Sequence, residues 1–364
     1  MTIHQLLLEE SPKMRLLVLG DLMLDHWVWG SVSRISPEAP IPVVDVERYS
    51  YTPGGAANVV ANLLSLGAHV TLAGVVGKDD SGRRLRSLLR RQGVDVSGVL
   101  FDPGRPTTLK TRIVAHAQQV VRADYEKKHP LSPTMEAAVL EWLMLALPQF
   151  QAVFLSDYLK GFFTPTLVAS IAAACASRAI PLVVGPKPAN VPLFRGVSLL
   201  TLNAREAAEA SGVATSTQTG AEAAGAILQS VIGQGASPDP GTPSAGVSEG
   251  PPSRGAAAGG TEGGIKPGTV VVTRGENGMS MFSPGEPPRH MPALASQVYD
   301  VSGAGDTVLA SLGLAVAGGL SPADAVLLAS HAAAVVVRKI GTATATPEEI
   351  LGSLDNFKAG KRKR

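Results

Sequence analysis

The sequence predicts an α/β protein: a central, mostly parallel sheet flanked by helices on both faces, plus a small β-sheet lid. Three observations predict it. From Met14 onward, short runs of aliphatic and β-branched residues alternate with longer helical patterns. Two internal stretches break that alternation and read as strands of period two. Gly-rich turns stand where strands pass into helices, the place at which open α/β sheets bind ligands.

The first element is MRLLVLG, a buried-strand pattern closing on Gly20-Asp21. GGAANVVANLLSLG is a turn entering a helix, and HVTLAGVVG is a strand. SGRRLRSLLRRQG is an amphipathic helix with Leu85, Leu88 and Leu89 as its apolar stripe and Gly93 as its stop. AVFLSD, IPLVVG and SLLTLN continue as strands, with PTLVASIAAACASR and AREAAEASG as helices. The two exceptions are His26 to Thr52, with WVWGSV and IPVVDVERYSY, and Thr107 to Glu126, TTLKTRIVAHAQQVVRADYE. Neither has a helical stripe, so about 26–52 and 107–126 are assigned to the lid. A helix is expected over 220–232 and a strand over 269–273. Between them, 26 of the 36 residues of 233–268 are Gly, Ala, Pro or Ser. Such a segment cannot bury enough surface to offset its ordering entropy, and it is expected to be a disordered insertion.

The 364 residues are 45% hydrophobic, which excludes global disorder and allows one large domain, expected over 14–351. The longest strongly apolar stretch, Ala325 to Val337, falls short of the roughly 18 residues a bilayer span needs. The N-terminus lacks a basic region ahead of an apolar one, so no secretory signal is expected. Cys175 is the single cysteine, which excludes an intrachain disulfide and a cysteine zinc site, and it reads as a small buried helix residue. The net charge of +2 includes five cations in the tail KAGKRKR (358–364); the rest carries 27 basic against 30 acidic residues. No basic patch interleaved with aromatics is present, so neither nucleic acid nor membrane is an expected partner, and a cytoplasmic location is the simplest fit.

The strongest chemical signal is Asp300-Val-Ser-Gly-Ala-Gly-Asp306, followed by an apolar helical run. The turn Gly303-Ala304-Gly305 opens a helix whose unpaired N–H groups and positive dipole end make an anion site. Asp306 stands in the first turn beside that anion, placed to take a proton from an acceptor hydroxyl in phosphoryl transfer; pairing with the helix dipole is its ordinary alternative role. Pro53-Gly54-Gly55-Ala-Ala-Asn58 opens a second helix, with glycines that admit a ligand close to the backbone. Asn203 and Glu206 begin a helix directly after a strand, where capping explains them as well as ligand binding does. In VVVTRGENGMSMF, Gly275 and Gly278 lie in a turn suited to a nucleotide or to a plain hairpin.

GGAANV near the start and DVSGAGD late together resemble the ribokinase-like (PfkB) carbohydrate kinases. LVLGDLMLDHWVWGSVSRISPEAPIPVV, PGGAANVVANLLSLGA, KTRIVAHAQQVVRADYE, LSDYLKG and YDVSGAGDTV resemble one branch, the D-glycero-D-manno-heptose 7-phosphate kinases. The resemblance spans about Met14 to Leu351 and implies an ATP-dependent kinase acting on the anomeric hydroxyl of that sugar phosphate. Asp306 matches the catalytic base, and Gly303, Ala304 and Gly305 match the anion hole. Asp25, Gly54, Gly55 and Asn58 match sugar-binding positions. Asn203 and Glu206 match a motif tied to magnesium and phosphate, and Thr273, Arg274, Gly275 and Gly278 match the loop under ATP. Asp300 matches the place of a monovalent cation such as potassium. Arg34, Lys110, Arg112, Arg122, Lys160 and Lys187 are the cations available to the sugar phosphate. A homodimer through the lid is expected. Two departures stand out: Gly185-Pro186-Lys187 replaces Asp-Pro-Lys, and Thr201-Leu202-Asn203 replaces Thr-Pro-Asn. The chain stops short of the C-terminal nucleotidyltransferase half of many relatives, so a stand-alone kinase is expected. A ribose- or fructose-type kinase and a catalytically silent binding protein are the alternatives.

Overall fold

A computed structural model describes residues 1–116, 118–233, 264–295 and 297–362, with side chains to 357. After a short helix α1 (Ile3–Gln5), β1 (Arg15–Gly20) starts the main sheet. Next come β2 (Leu22–Ile35), β3 (Pro42–Gly55), α2 (Ala56–Ser65), β4 (His69–Gly77), α3 (Asp80–Arg91) and β5 (Asp95–Asp102). β6 (Thr108–Ala115), β7 (Gln118–Tyr125), α4 (Pro133–Ala146), β8 (Ala152–Ser156), α5 (Pro165–Ala176), β9 (Leu182–Gly185) and β10 (Leu199–Asn203) follow. The remainder is α6 (Ala204–Ser211), α7 (Gln218–Gly233), β11 (Thr269–Thr273), β12 (Met279–Phe282), β13 (Arg289–Met291), α8 (Ala304–Ala317), α9 (Pro322–Val336) and α10 (Pro347–Arg362).

Nine strands form the main sheet in the order β13-β12-β11-β10-β9-β8-β1-β4-β5, all running the same way except β12, which is antiparallel to both its neighbours. Its two faces are buried alternately, as the two-residue strand period requires: Leu16 and Val18 enter one core cluster, Leu17 and Leu19 the other. α8 lies close on β8 because Gly313 has no side chain; a Cβ there would come within 2.0 Å of the Phe154 ring. On α3, Leu85 and Leu89 are buried and Leu88 is half-buried. Cys175 is buried in α5, where burial pushes its thiol up to about 12.

The second sheet has the order β3-β2-β6-β7, and its strands cover the two stretches assigned to the lid. Of the segment 233–268 expected to be disordered, 234–263 lie outside the described residues, while Gly233 ends α7 and Ile265 packs on the core. The basic tail begins inside α10, whose backbone stays helical to Arg362. No helix among the described residues is long and apolar enough to cross a membrane.

Candidate active site

The topological switch point of the sheet lies between β1 and β8, because the chain leaves β1 toward β4 on one side and later returns to β8 on the other. Ligands of open α/β sheets bind at the carboxyl ends of such strands. Gly20 pairs with Ser156 so closely that a Cβ would stand 2.2 Å from the Ser156 carbonyl oxygen. The next residue, Asp21, is buried, and its carboxylate accepts the N–H groups of Tyr158 (2.8 Å), Lys160 (3.1 Å) and Phe162 (3.3 Å). Burial pushes its carboxyl up to about 6, although those donors pull it down. Asp157 reinforces the same loop. Its Oδ1 accepts from the N–H of Leu159 (2.8 Å), a non-glycine residue at φ 55°, and its Oδ2 accepts from the Lys187 N–H (3.0 Å) and Asn190 Nδ2 (3.0 Å).

α8 points its N-terminus into this cleft. Gly303, at φ 78°, turns the chain into the helix without a side-chain cap. The Ala304 N–H donates to the Val301 carbonyl (3.1 Å), so the expected three-residue anion hole narrows to Gly303 and Gly305, which line the cleft, with the Asp306 N–H beside them. None of those three N–H groups has an acceptor among the described residues. The half-buried Asp306 carboxylate receives the Tyr158 hydroxyl at both oxygens, 2.9 Å to Oδ1 and 3.0 Å to Oδ2. Burial raises its pKa to about 6; the Tyr158 and Asn58 side chains and the Lys187 charge act against that rise, and Glu206 adds to it. A carboxylate poised there is ionised at neutral pH yet basic enough to take a hydroxyl proton. Asn58 reaches the site because α2 and α8 pack side by side, joined by Thr307 Oγ1 donating to Asn62 Oδ1 (2.7 Å).

On the other side of the cleft, Asn203 and Glu206 form a reciprocal capping box: Asn203 Oδ1 accepts the Glu206 N–H (2.8 Å) and Glu206 Oε2 accepts the Asn203 N–H (3.1 Å). Capping uses one Glu206 oxygen. The other takes Lys187 Nζ at 2.5 Å, which brings Lys187 into the same cleft as Thr273 and Asp306. Gly185, where the branch has aspartate, faces Leu309, whose Cδ2 would lie 2.9 Å from a Cβ. Arg274, Gly275 and Gly278 make the β11–β12 hairpin turn, with the Arg274 N–H donating to the Gly278 carbonyl (2.7 Å). Gly278 is dictated by packing, since a Cβ would lie 1.9 Å from the Met291 carbonyl oxygen. Asp300 Oδ1 accepts from the Ser302 N–H (2.8 Å) and Oδ2 from the Gly341 N–H (2.9 Å), and the Ser302 hydroxyl together with these backbone donors holds its carboxyl below the usual range. No group of three or more His, Cys, Asp or Glu side chains suited to a metal occurs among the described residues. Glu206, with one oxygen capping α6 and the other paired with Lys187, fits magnesium only as a backing carboxylate for an ion held mainly by substrate phosphates.

The lid and the loop after β8 supply the remaining expected residues. Asp25 on β2 lies beside Lys110 on β6 and forms an ion pair with Arg112, which also sits over the Trp27 ring (4.8 Å). Gly54 is required by Asp25, whose Oδ2 would be 2.4 Å from a Cβ there; Gly55, at φ 66°, donates the turn into α2. Lys110 and Arg122 share Asp124 (2.8 and 3.0 Å), and Lys160 and Lys128 share Glu126 (2.7 and 3.1 Å). Arg34 is not brought to this cluster. It lies nine residues beyond Asp25 on the same strand, exposed and about 30 Å away at the rise of an extended chain. The grouping of Arg34 with the other cations is therefore corrected: sequence shows a cation, not how far out along a strand it sits.

The fold and site define a phosphotransferase of the sugar-kinase type, and comparison with known proteins agrees. Residues 14–236 and 252–349 match the model of the pfkB family carbohydrate kinases, and the chain belongs to that family. It is 40% identical over 348 residues to the bifunctional protein HldE of Trichlorobacter lovleyi, covering 96% of this chain and 64% of the relative. It is 42% identical over 338 residues to the bifunctional protein HldE of Geobacter sulfurreducens, covering 93% and 62%. The chain thus spans under two thirds of the length of these relatives. Two solved structures share the fold. Arabidopsis thaliana ribokinase complexed with ribose and ATP has a TM-score of 0.67 at 18% identity, covering 94% of this chain and 98% of that one. Escherichia coli phosphofructokinase-2 in complex with potassium has a TM-score of 0.71 at 16% identity, covering 95% and 99%. The chain is a carbohydrate kinase of the pfkB family.

Three residues escaped the sequence reading as site residues. Asp21 is visible in sequence only within the Gly20-to-Asp25 stretch at the ligand-binding end of the first strand, without a role of its own, and Asp157 and Tyr158 only within LSDYLKG. A polar triplet at the carboxyl end of a buried strand is the signal that would have found Asp157 and Tyr158.

Proposed function

We propose that this chain transfers the γ-phosphoryl group of ATP to the C1 hydroxyl of D-glycero-D-manno-heptose 7-phosphate, giving the 1,7-bisphosphate and ADP. The observation that carries the transfer step is the Asp306 carboxylate, half-buried and next to unpaired amides at the start of α8. The sugar oxygen attacks the γ-phosphorus, the bond to the ADP oxygen breaks, and the hydroxyl proton passes to Asp306. The Gly303 and Gly305 N–H groups face the charge that spreads over the transferred phosphoryl oxygens. Lys187, Asn203, Glu206 and Thr273 line the nucleotide side of the cleft, with Arg274, Gly275 and Gly278 beyond it. Glu206 would hold a magnesium ion together with the nucleotide phosphates, and that ion would supply neutralisation of phosphate charge. We assign a monovalent cation to the loop of Asp300, which ties the backbone at Ser302 to that at Gly341.

A sugar that already bears a phosphate is supported by the branch resemblance and by the charge where the lid meets the loop after β8. Five cations, Lys110, Arg112, Arg122, Lys128 and Lys160, share three carboxylates, leaving a net positive surface. The opposite lid face carries Val28, Tyr49, Ile113 and Val121 in register, with Tyr49 66% and Val121 48% exposed. An apolar sheet face of that kind supports a homodimer through the lid. A fully active monomer by light scattering at micromolar concentration would remove the dimer. ATP consumption measured with heptose 7-phosphate, fructose phosphates, ribose and fructose tests the substrate: the heptose is expected to give the highest kcat/KM, and preference for an unphosphorylated sugar would refute the reading.

A further inference from the structure

We propose that Tyr158 is a positioning residue for the base: its hydroxyl locks the Asp306 carboxylate in one orientation and holds it ready to accept the sugar proton. The inference rests on the reading of Asp306 as the base.

The phenol is held at both ends. Its backbone N–H is fixed by the buried Asp21 carboxylate (2.8 Å), and the residue before it, Asp157, is anchored to the Lys187 backbone (3.0 Å). Lys187 Nζ lies 5.5 Å from the Tyr158 ring centroid and is itself held by Glu206. From that fixed position the hydroxyl donates to both oxygens of Asp306 at nearly equal distances, 2.9 and 3.0 Å. A carboxylate held symmetrically cannot rotate about its last torsion without losing one contact. Each oxygen keeps a second lone-pair site, so a substrate hydroxyl can bind without displacing the phenol. Around Asp306 the facing groups are Asn58 from α2, Tyr158 after β8, Lys187 after β9 and Glu206 from α6. Tyr158 is a neutral donor throughout the working range, because burial and the Asp306 charge hold its own pKa well above that of a free phenol. It therefore supplies a donor without adding a charge that would compete for the incoming phosphate.

Wild type, Tyr158→Phe and Asp306→Asn are compared by NMR titration of protein labelled with carbon-13 at the aspartate carboxyls, without substrate. The resonance absent from D306N is Asp306. In Y158F its midpoint should rise by about one pH unit, as expected for loss of a hydrogen bond to a charged group. The acid limb of kcat/KM for heptose 7-phosphate should move up with it, and the rate should recover toward wild type at high pH with KM for ATP unchanged. Replacing tyrosine by 3-fluorotyrosine, whose phenol is the stronger donor, should move the midpoint down. An unchanged midpoint in Y158F, or a rate lowered equally at every pH, overturns the assignment. If D306N keeps its turnover, the base reading fails; if D306N is inactive while Y158F titrates as wild type, only the Tyr158 assignment fails.

Discussion

Replacing Asp306 by asparagine separates its chemical role from its structural one, because the two predict opposite changes. Asparagine keeps the shape and still offers an oxygen to the Tyr158 hydroxyl, now 2.9 Å from Oδ1. It cannot accept a proton, and loss of a general base lowers rate by about 10² to 10⁴. Stability should move the other way. The folded pKa is raised from 3.8 to about 6, so the folded state holds the proton more tightly than the unfolded one. That contribution is present in full below the unfolded pKa, is lost as pH rises through the folded value, and leaves the carboxylate a burden at neutral pH. Two pH units correspond to about 3 kcal/mol as a ceiling. The side chain is half-buried, and solvent screening reduces this to about 1–2 kcal/mol. Loss of the charge from the first turn of α8 removes roughly 0.3–1 kcal/mol of dipole stabilisation. The net expectation at pH 8 is a gain near 1 kcal/mol, or about 1–2 °C in Tm for a chain of this size. At pH 4, where wild-type Asp306 is protonated, the gain should vanish. Thermal melts at both pH values and single-turnover rates measure the two effects. Near wild-type turnover in D306N, or a lower Tm at pH 8 with activity retained, would refute the reasoning.

Gly54→Ala should push Asp25 out of place, since the added Cβ would lie 2.4 Å from its Oδ2; kcat/KM for the sugar should fall by about 10²-fold while KM for ATP holds. Asp21→Asn should turn one of the two carboxylate oxygens, which together accept the N–H groups of Tyr158, Lys160 and Phe162, into a donor facing at least the Phe162 N–H, costing about 1–3 kcal/mol in denaturant melts. Lys187→Ala should raise KM for ATP with less than about 1 kcal/mol lost in stability, because the Lys187–Glu206 pair is partly exposed.

The parallel strands were legible because burial on both faces leaves near-continuous apolar runs such as RLLVLG and HVTLAGVVG. The lid was legible from its two-residue period. β5 was passed over because DVSGVLFD carries turn residues; its Gly98 is there for packing, a Cβ falling 2.6 Å from Trp142 and 2.7 Å from Ala73. α4 is equally hard to see in sequence: its residues are apolar all round, yet it is covered on one side only, with Val139 and Leu143 buried. In the site, Asp306 announced itself through its Gly-Ala-Gly turn, a local feature. Tyr158 did not, because its contact with Asp306 joins residues 148 positions apart and leaves no local pattern. The lid cations were visible as residues, but their sharing of Asp124 and Glu126 depends on strand register.

The most direct test of the central claim is phosphorus-31 NMR of the reaction of ATP with D-glycero-D-manno-heptose 7-phosphate. A new phosphate resonance split by the anomeric proton should grow in step with ADP, with the 7-phosphate signal retained, and it should grow about 10² to 10⁴ times more slowly with Asp306→Asn. ADP released without a new sugar phosphate, or a phosphate on any carbon other than C1, would contradict it.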